Sequence, residues 1–176
     1  VTYLLAGTVV GIRKVEVDDV DELVRLARES VELHRRWATP PQTEQAWAAW
    51  FVTRDPQAWA GLVICEIAAG AIVGQVNVNN IVYAAFRSAA LGYNVFASSA
   101  RRGFMTQGLG QVIRYAFAED GLALHRLEAN IQPDNAASIA LVKRLGFRLE
   151  GLSPDFLFLD GAWRDHERWA ITSEMV

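Results

Sequence analysis

Ala100-Arg101-Arg102-Gly103-Phe104-Met105-Thr106 joins a stretch that reads as a strand, Ala89 to Phe96, to one that reads as a helix, Met105 to Glu119. Backbone N–H groups at a helix start have no intrahelical partner, and the helix dipole adds partial positive charge, so the junction suits a diphosphate. Gly103 lets the chain approach an anion closely, and Arg101 and Arg102 can add charge-assisted hydrogen bonds. An ordinary strand-to-helix turn carrying surface arginines has the same local pattern. Two other phosphate motifs fail here. Gly103 and Gly108 have the gap of a P-loop, but Leu109-Gly110 stands where Lys and Ser/Thr are required, and Ile113 stands where a dinucleotide fingerprint needs its third glycine. Gly108 and Gly110 therefore fall inside the helix, at about 1 kcal/mol each relative to alanine, which implies close packing or close ligand approach.

Downstream, Arg126 to Ile131 reads as a strand, followed by Gln132-Pro133-Asp134-Asn135-Ala136-Ala137-Ser138. Pro133 cannot donate to a ladder, so the strand stops or splays there, and Asn135 can cap a helix from Asn135 to Leu145 that Gly146 ends. Ser138 lies one turn inside, either as part of the cap or as a hydroxyl at the mouth of a cleft. Two last strands are expected around Phe156 to Leu159 and Trp163 to Thr172. Upstream, Thr8 to Lys14 reads as a first strand. Asp18/Asp19 can cap a helix with Val20, Leu23, Val24 and Ala27 on one face, running through Ser30 to about Arg35. Pro40-Pro41 is a turn. Thr43 opens a second helix with Glu44 in its first turn and Trp47, Trp50 and Phe51 at three-to-four spacing, ending near Asp55-Pro56. Trp59 to Ala68 and Ile72 to Val82 are strands joined through Ala69-Gly70-Ala71. Strands in series and then alternating helix and strand predict an α/β (α+β) fold, with a mixed, mostly antiparallel sheet.

The whole chain, residues 1–176, reads as one domain: 52% of its residues are apolar and 21% charged, the balance of a globular core. Formal net charge is −3, with both signs interspersed and no basic block, so direct nucleic-acid binding is not expected. No apolar run approaches the roughly 18 residues of a membrane span, and the first residues lack a signal-peptide layout, so no membrane partner is expected. The single cysteine, Cys65, sits in Leu62-Val63-Ile64-Cys65 and reads as a buried small hydrophobe, consistent with a cytoplasmic setting. No metal is expected: His166 in Arg164-Asp165-His166-Glu167 has no second His or Cys at ligand spacing, and His125 offers less.

Arg102-Gly103-Phe104-Met105-Thr106 resembles the pyrophosphate-binding signature of the GNAT acetyltransferase superfamily, and Asn135-x-x-Ser138 through Leu145-Gly146-Phe147 resembles its asparagine-serine helix with the Leu-Gly-Phe ending. Glu32-Leu33-His34-Arg35-Arg36-Trp37, Leu91-Gly92-Tyr93 and Trp163-Arg164-Asp165-His166 are similar to the branch that acetylates ribosomal-protein alanines. The resemblance covers nearly the whole chain. It implies a single GNAT domain with helices on both faces of the sheet and a V-shaped splay between the fourth and fifth strands, ending near Phe96 and Ile131. Acetyl-CoA, the co-substrate, would lie in that V. Its pyrophosphate would be held by Arg101, Arg102, Gly103, Phe104, Met105 and Thr106, and its pantetheine arm by the backbone of Val95 and Phe96 and by Asn135, with Asn130 a further cofactor-binding residue. Ser138 would be the general acid toward the departing thiolate. Two departures stand out: Ala100 replaces the signature's first Gln/Arg and Met105 its second small residue, which spares the backbone cradle.

The activity implied is transfer of acetyl to a primary amine, a protein or peptide N-terminal α-amine first and a small molecule (polyamine, amino sugar or amino acid) second. A non-catalytic acyl-CoA-binding module is a third reading. An α-amino group with a pKa near 7.7–8 is about a tenth neutral near pH 7, so it asks little of a base, whereas a lysine amine near 10.4 asks much. The base itself is open between Asp155, His34 and a water chain, because Phe156-Leu157-Phe158 and Ala89-Ala90-Leu91 carry no acid where some relatives have one. Trp37, Trp47, Trp50 and Trp59 read as core packing first and as a wall of the acceptor site second. Exposed final strands often pair in homodimers of this superfamily, so the resemblance makes a homodimer a candidate assembly.

Overall fold

A computed structural model describes residues 2–176. The amino-terminal segment forms strands β1 (Leu5–Ala6) and β2 (Val10–Lys14), then helices α1 (Val20–Glu29), α2 (Val31–His34) and α3 (Glu44–Val52). A meander follows, β3 (Trp59–Glu66), β4 (Ile72–Val82) and β5 (Ser88–Val95), then α4 (Phe104–Phe117), β6 (Arg126–Ile131), α5 (Ala136–Arg144), β7 (Arg148–Leu159) and β8 (Ala162–Thr172). The eight strands form one sheet in the order β1-β2-β3-β4-β5-β6-β8-β7, in which β5 and β6 are the parallel neighbours and the other pairs are antiparallel.

Side chains alternate across this sheet, and each face has its own core. On one face Ile64, Val76, Val78, Leu91, Leu127, Ala129 and Ile171 pack against Leu109, Val112, Ile113 and Val142 of α4 and α5. On the other, Val63, Cys65, Ile72 and Phe96 pack against Leu23, Val24, Leu26 and Trp47 of α1 and α3. Helices therefore cover both faces, and Cys65 is a buried apolar filler. Gly108 is explained by packing: a Cβ there would stand 2.5 Å from Ile64 side-chain carbons, so α4 approaches β3 too closely for any other residue. At Gly110 a Cβ would meet only Leu145, at an ordinary 3.7 Å.

Several local expectations shift. A short edge strand, β1, precedes the expected first strand, and the helix expected to run from Asp18 to Arg35 breaks at Ser30 into α1 and α2. Asp19 does not cap α1 with its side chain. It reaches back to the Glu16 N–H (2.8 Å) and takes a two-pronged bond from Arg13 at 2.7 Å each, in a 3₁₀ turn over Val17–Asp19. Burial works to raise that carboxyl's pKa, and the Arg13 and Glu16 bonds outweigh it, leaving it below the ordinary range. Thr43 does cap α3, accepting from the Ala46 N–H at 3.1 Å. β7 begins eight residues before the expected Phe156, at Arg148. Gly151 and Pro154 masked this first half, where the pairing with β8 is bulged twice. An edge strand tolerates both residues because its outer side has no ladder to satisfy.

Candidate active site

The parallel ladder between β5 and β6 runs only over Ser88↔Arg126, Ala89↔Leu127 and Ala90↔Glu128. Beyond it each strand stays tied to its outer neighbour, β5 to β4 as far as Gly74↔Val95 and β6 to β8 as far as Ile131↔Glu167, so the two diverge into a V. The Phe96 N–H donates to Val73 of β4 at 3.2 Å. Because backbone groups alternate sides along a strand, Asn94 and Gly92 face β4 as well, and beyond the ladder the N–H and C=O groups of Tyr93 and Val95 face the cleft. The candidate pair Val95 and Phe96 thus separates. Val95 turns its backbone to the V, whereas Phe96 spends its N–H on Val73, accepts from the Ser99 N–H at 2.9 Å, and buries its ring under α1.

The turn at the base of α4 holds the other candidates. Gly103 sits in the left-handed region at φ 78° as the residue before the helix, Arg101 is also left-handed at φ 62°, and nothing stands within 4 Å of where a Cβ on Gly103 would be. Among the described residues, no backbone carbonyl accepts from the N–H groups of residues 101 to 106. This is a concave run of unspent donors open to solvent at a helix N-terminus. Arg101 and Arg102 are exposed; the Arg102 guanidinium lies 4.4 Å over the buried Phe104 ring and 3.2 Å from Glu66. Met105 turns inward over Gly74, where a Cβ would meet its sulfur at 2.7 Å, and the Thr106 hydroxyl accepts from Arg144 of α5 at 3.4 Å. Arg144 thus brings a third arginine to the turn, visible only once α5 is folded beside α4.

Across the V, Asn135 caps α5 by accepting from the Ser138 N–H at 3.2 Å. The Ser138 hydroxyl lies 2.6 Å from the Tyr93 hydroxyl. Burial pushes the Tyr93 phenol up to about 12, and the bond to Ser138 opposes the rise only in part. Sequence reasoning noted Tyr93 only as part of Leu91-Gly92-Tyr93; alternation along β5 was the signal that it shares a face with Leu91 and reaches α5. On the opposite face, Asn130 lies on the same side of β6 as Glu128 and opposes Arg168 of β8. Its side-chain oxygen is buried with no partner, as is the Asn94 amide nitrogen on β5. Glu128 is bound by Arg126 at 3.0 Å and Arg168 at 2.9 Å.

Helix α2 spans the open end of the V. Ser30, at the break before it, accepts from the Ala97 N–H at 2.9 Å, and His34 Nε2 donates to the cleft-facing carbonyl of Val95 at 2.6 Å. On the other arm the Gln132 amide donates to the Arg36 carbonyl at 3.2 Å, and Arg36 pairs with Asp134. A carbonyl cannot donate, so Nε2 carries the proton. Burial holds the His34 pKa below its ordinary value, the bond to Val95 opposing it, so Nδ1 is bare. That nitrogen is buried and unpartnered. Of the other candidate base, Asp155 is exposed on the β7 bulge, its N–H held by Asp165 at 2.9 Å. Trp47 is core, while Trp50, Phe51 and Trp59 extend from it edge to face, and the Trp59 indole donates to Asn77 at 3.1 Å. His166 is buried with Nδ1 on the Arg164 carbonyl, and His125 pairs with Glu174. The described residues contain no metal-binding cluster and no helix long and apolar enough to cross a membrane.

Residues 10–148 match the family model described as an acetyltransferase (GNAT) domain. The chain is 38% identical over 102 residues to the [ribosomal protein uS5]-alanine N-acetyltransferase of Escherichia coli, a match covering 58% of this chain and 52% of that enzyme, so it spans about half of the relative's length. It is 31% identical over 159 residues to the L-methionine sulfoximine/L-methionine sulfone acetyltransferase of Pseudomonas aeruginosa, covering 88% of this chain and 90% of that one. Among solved structures, Mycobacterium smegmatis RimJ in complex with CoA-disulfide superposes with a TM-score of 0.85 at 31% identity, over 94% of this chain and 82% of the other.

Proposed function

Since the chain belongs to the GNAT acetyltransferase family, we propose that it is an N-acetyltransferase that transfers acetyl from acetyl-CoA to the α-amine of a protein or peptide N-terminus, with the V between β5 and β6 as the active site. The observation that carries the reading is the pairing of an open, left-handed turn of unspent N–H donors at Gly103 with a cleft whose β5 edge presents unpaired backbone. The first fits a diphosphate and the second fits the amide-bearing arm of the same molecule, which would add to β5 like a strand. Arg101, Arg102 and, from α5, Arg144 add positive charge beside the turn; Val95 offers its N–H to the arm, its carbonyl being held by His34, and Asn130 and Asn135 stand at the β6 side. Ser138, one turn into α5, is the hydroxyl available to protonate the departing sulfur. No residue is needed as a strong base, because an α-amine is partly neutral near pH 7.

A small-molecule acceptor, an amino acid, is the second reading. It is favoured by the relative from P. aeruginosa, whose match runs through 90% of its length where the ribosomal-protein enzyme matches through about half. Both acceptors present an α-amine; they differ in whether a carboxylate or a peptide bond follows. Thiol release from acetyl-CoA, measured against an Ala-initiated peptide, methionine sulfone and spermidine, separates the two. The peptide turning over with the highest kcat/KM supports the first reading, and methionine sulfone alone supports the second. Acetyl-CoA binding with no transfer to any of the three would leave a binding module.

A further inference from the structure

The mechanism above uses Ser138 and leaves unexplained the side chain that touches it. Tyr93 and Ser138 are 45 residues apart and stand on opposite arms of the V, Tyr93 past the last β5–β6 pair and Ser138 in the helix that follows β6, and their hydroxyls meet at 2.6 Å. Two hydroxyls in one hydrogen bond share a single proton between them and leave the other free, so the donor identity decides which residue can serve a third group. A phenol is the better donor. Tyr93 packs against the α4/α5 core, and Ser138 is the partner of its oxygen.

We propose that Tyr93 is a positioning residue for leaving-group protonation: its O–H donates to Ser138 Oγ, fixes the serine rotamer, and leaves the serine's own proton directed into the cleft. The inference rests on Ser138 being the proton donor. In the step itself the amine nitrogen bonds to the thioester carbonyl carbon, the C–S bond breaks, and sulfur takes the Ser138 proton. The nitrogen sheds one proton, which returns to the serine oxygen through solvent. Tyr93 keeps its proton throughout, as its raised pKa allows across the working range. Donation into Oγ also makes the serine O–H a stronger donor, since chained hydrogen bonds polarise one another. The bond further ties the two arms together where no ladder does, so the sulfur site keeps its width.

The experiment compares Tyr93→Phe, Ser138→Ala and the double variant by thiol release from acetyl-CoA. The acceptors are an Ala-initiated peptide and hydroxylamine, a nucleophile small enough to need no acceptor pocket. Phe keeps the ring in the core and removes only the hydroxyl. Tyr93→Phe is expected to lower kcat about 10-fold with KM for acetyl-CoA unchanged, and Ser138→Ala about 100-fold, at the lower end of general-acid effects. The double variant is expected to be no slower than Ser138→Ala alone, because the phenol acts only through the serine. A Tyr93→Phe enzyme at wild-type kcat, or full additivity in the double variant, overturns the positioning role. Ser138→Ala at wild-type kcat overturns the underlying assignment of the proton donor, and that failure is distinct because it appears in the single serine variant. A loss in Tyr93→Phe that is confined to KM, with equal weakening of acetyl-CoA binding by calorimetry, shows a merely structural strut and also overturns the proposal.

Discussion

Placing a carboxylate at Gly103 tests the phosphate cradle most sharply, because that position separates backbone strain from charge. Gly103 is left-handed at φ 78° and a side chain there would meet no atom within 4 Å, so substitution strains the backbone without a clash. For most L-residues the left-handed region costs about 1–2 kcal/mol, and Asn and Asp tolerate it better than others. Gly103→Asn and Gly103→Asp therefore share one strain and one shape and differ by one charge. If a diphosphate with about two charges sits about 5 Å from the new carboxylate at an effective dielectric of about 40, each pair repels by about 1.7 kcal/mol, or roughly 3 kcal/mol together. That corresponds to more than a 100-fold loss of affinity. Isothermal titration with acetyl-CoA is expected to show Gly103→Asn within about 10-fold of wild type and Gly103→Asp at least 100-fold weaker, with circular dichroism unchanged in both. The gap between them should narrow in high salt, since the site is open to solvent. Equal losses in the two variants would refute an electrostatic cradle and leave only a conformational requirement for glycine.

Three further outcomes follow from packing and titration. Gly110→Ala gains helix propensity with an ordinary contact to Leu145 and should stabilise by about 1 kcal/mol, whereas Gly108→Ala drives a methyl into Ile64 and should destabilise by about 1–3 kcal/mol. At roughly 2–4 °C per kcal/mol for a chain of this size, thermal melts should move in opposite directions, and a shared direction would contradict the packing. His34 is held neutral in the fold by burial, so its folded pKa lies below the unfolded value near 6.5. The stability it contributes is complete above that pH and is lost as pH falls through the folded pKa. His34→Gln, which retains a donor toward Val95 without titrating, should flatten the urea midpoint against pH between about 7 and 5, and an unchanged slope would exclude His34 as its source. Arg144→Gln should weaken acetyl-CoA binding by about 3- to 10-fold without altering the melt, consistent with one charge beside the turn.

Much of this molecule is local, and what is local was legible. The α4 entry turn, the Asn135 cap with Ser138 one turn inside, Gly146 ending α5 at φ 87° and the β3–β4 hairpin each follow from a few adjacent residues. The first half of β7 was not, because Gly151 and Pro154 are breakers in the interior of a sheet and harmless at its edge, and edge position is a property of the whole strand order. The clasp of α2 over the cleft was equally hidden. Ser30 and His34 read as residues of a continuing helix, and only the fold shows that the break at Ser30 accompanies their bonds to Ala97 and Val95, more than 60 residues away. The Val95–Phe96 pair could not be resolved into its two members for a related reason: backbone direction alternates, and register against β4 decides which of two neighbours faces the V.

The cleft's own bonds bear on how readily it takes its ligand. Arg102 is paired with Glu66 before any phosphate arrives, at 3.2 Å and with its side chain about half exposed, and such a pair is worth about 0–1 kcal/mol. A diphosphate presents more charge than one carboxylate and is also met by backbone donors that have no competing partner, so the exchange of Glu66 for phosphate is favourable at little loss. The Tyr93–Ser138 bond is different: it is half-buried and short, and lies past the last β5–β6 pair. On the proposed reading, the turn at Gly103 would exchange partners on binding while the Tyr93–Ser138 end is already set. Recognition would then draw on exposed surface arginines, and the proposed proton donor would be oriented before the thioester arrives, the division expected if binding tolerates adjustment and transition-state stabilisation does not.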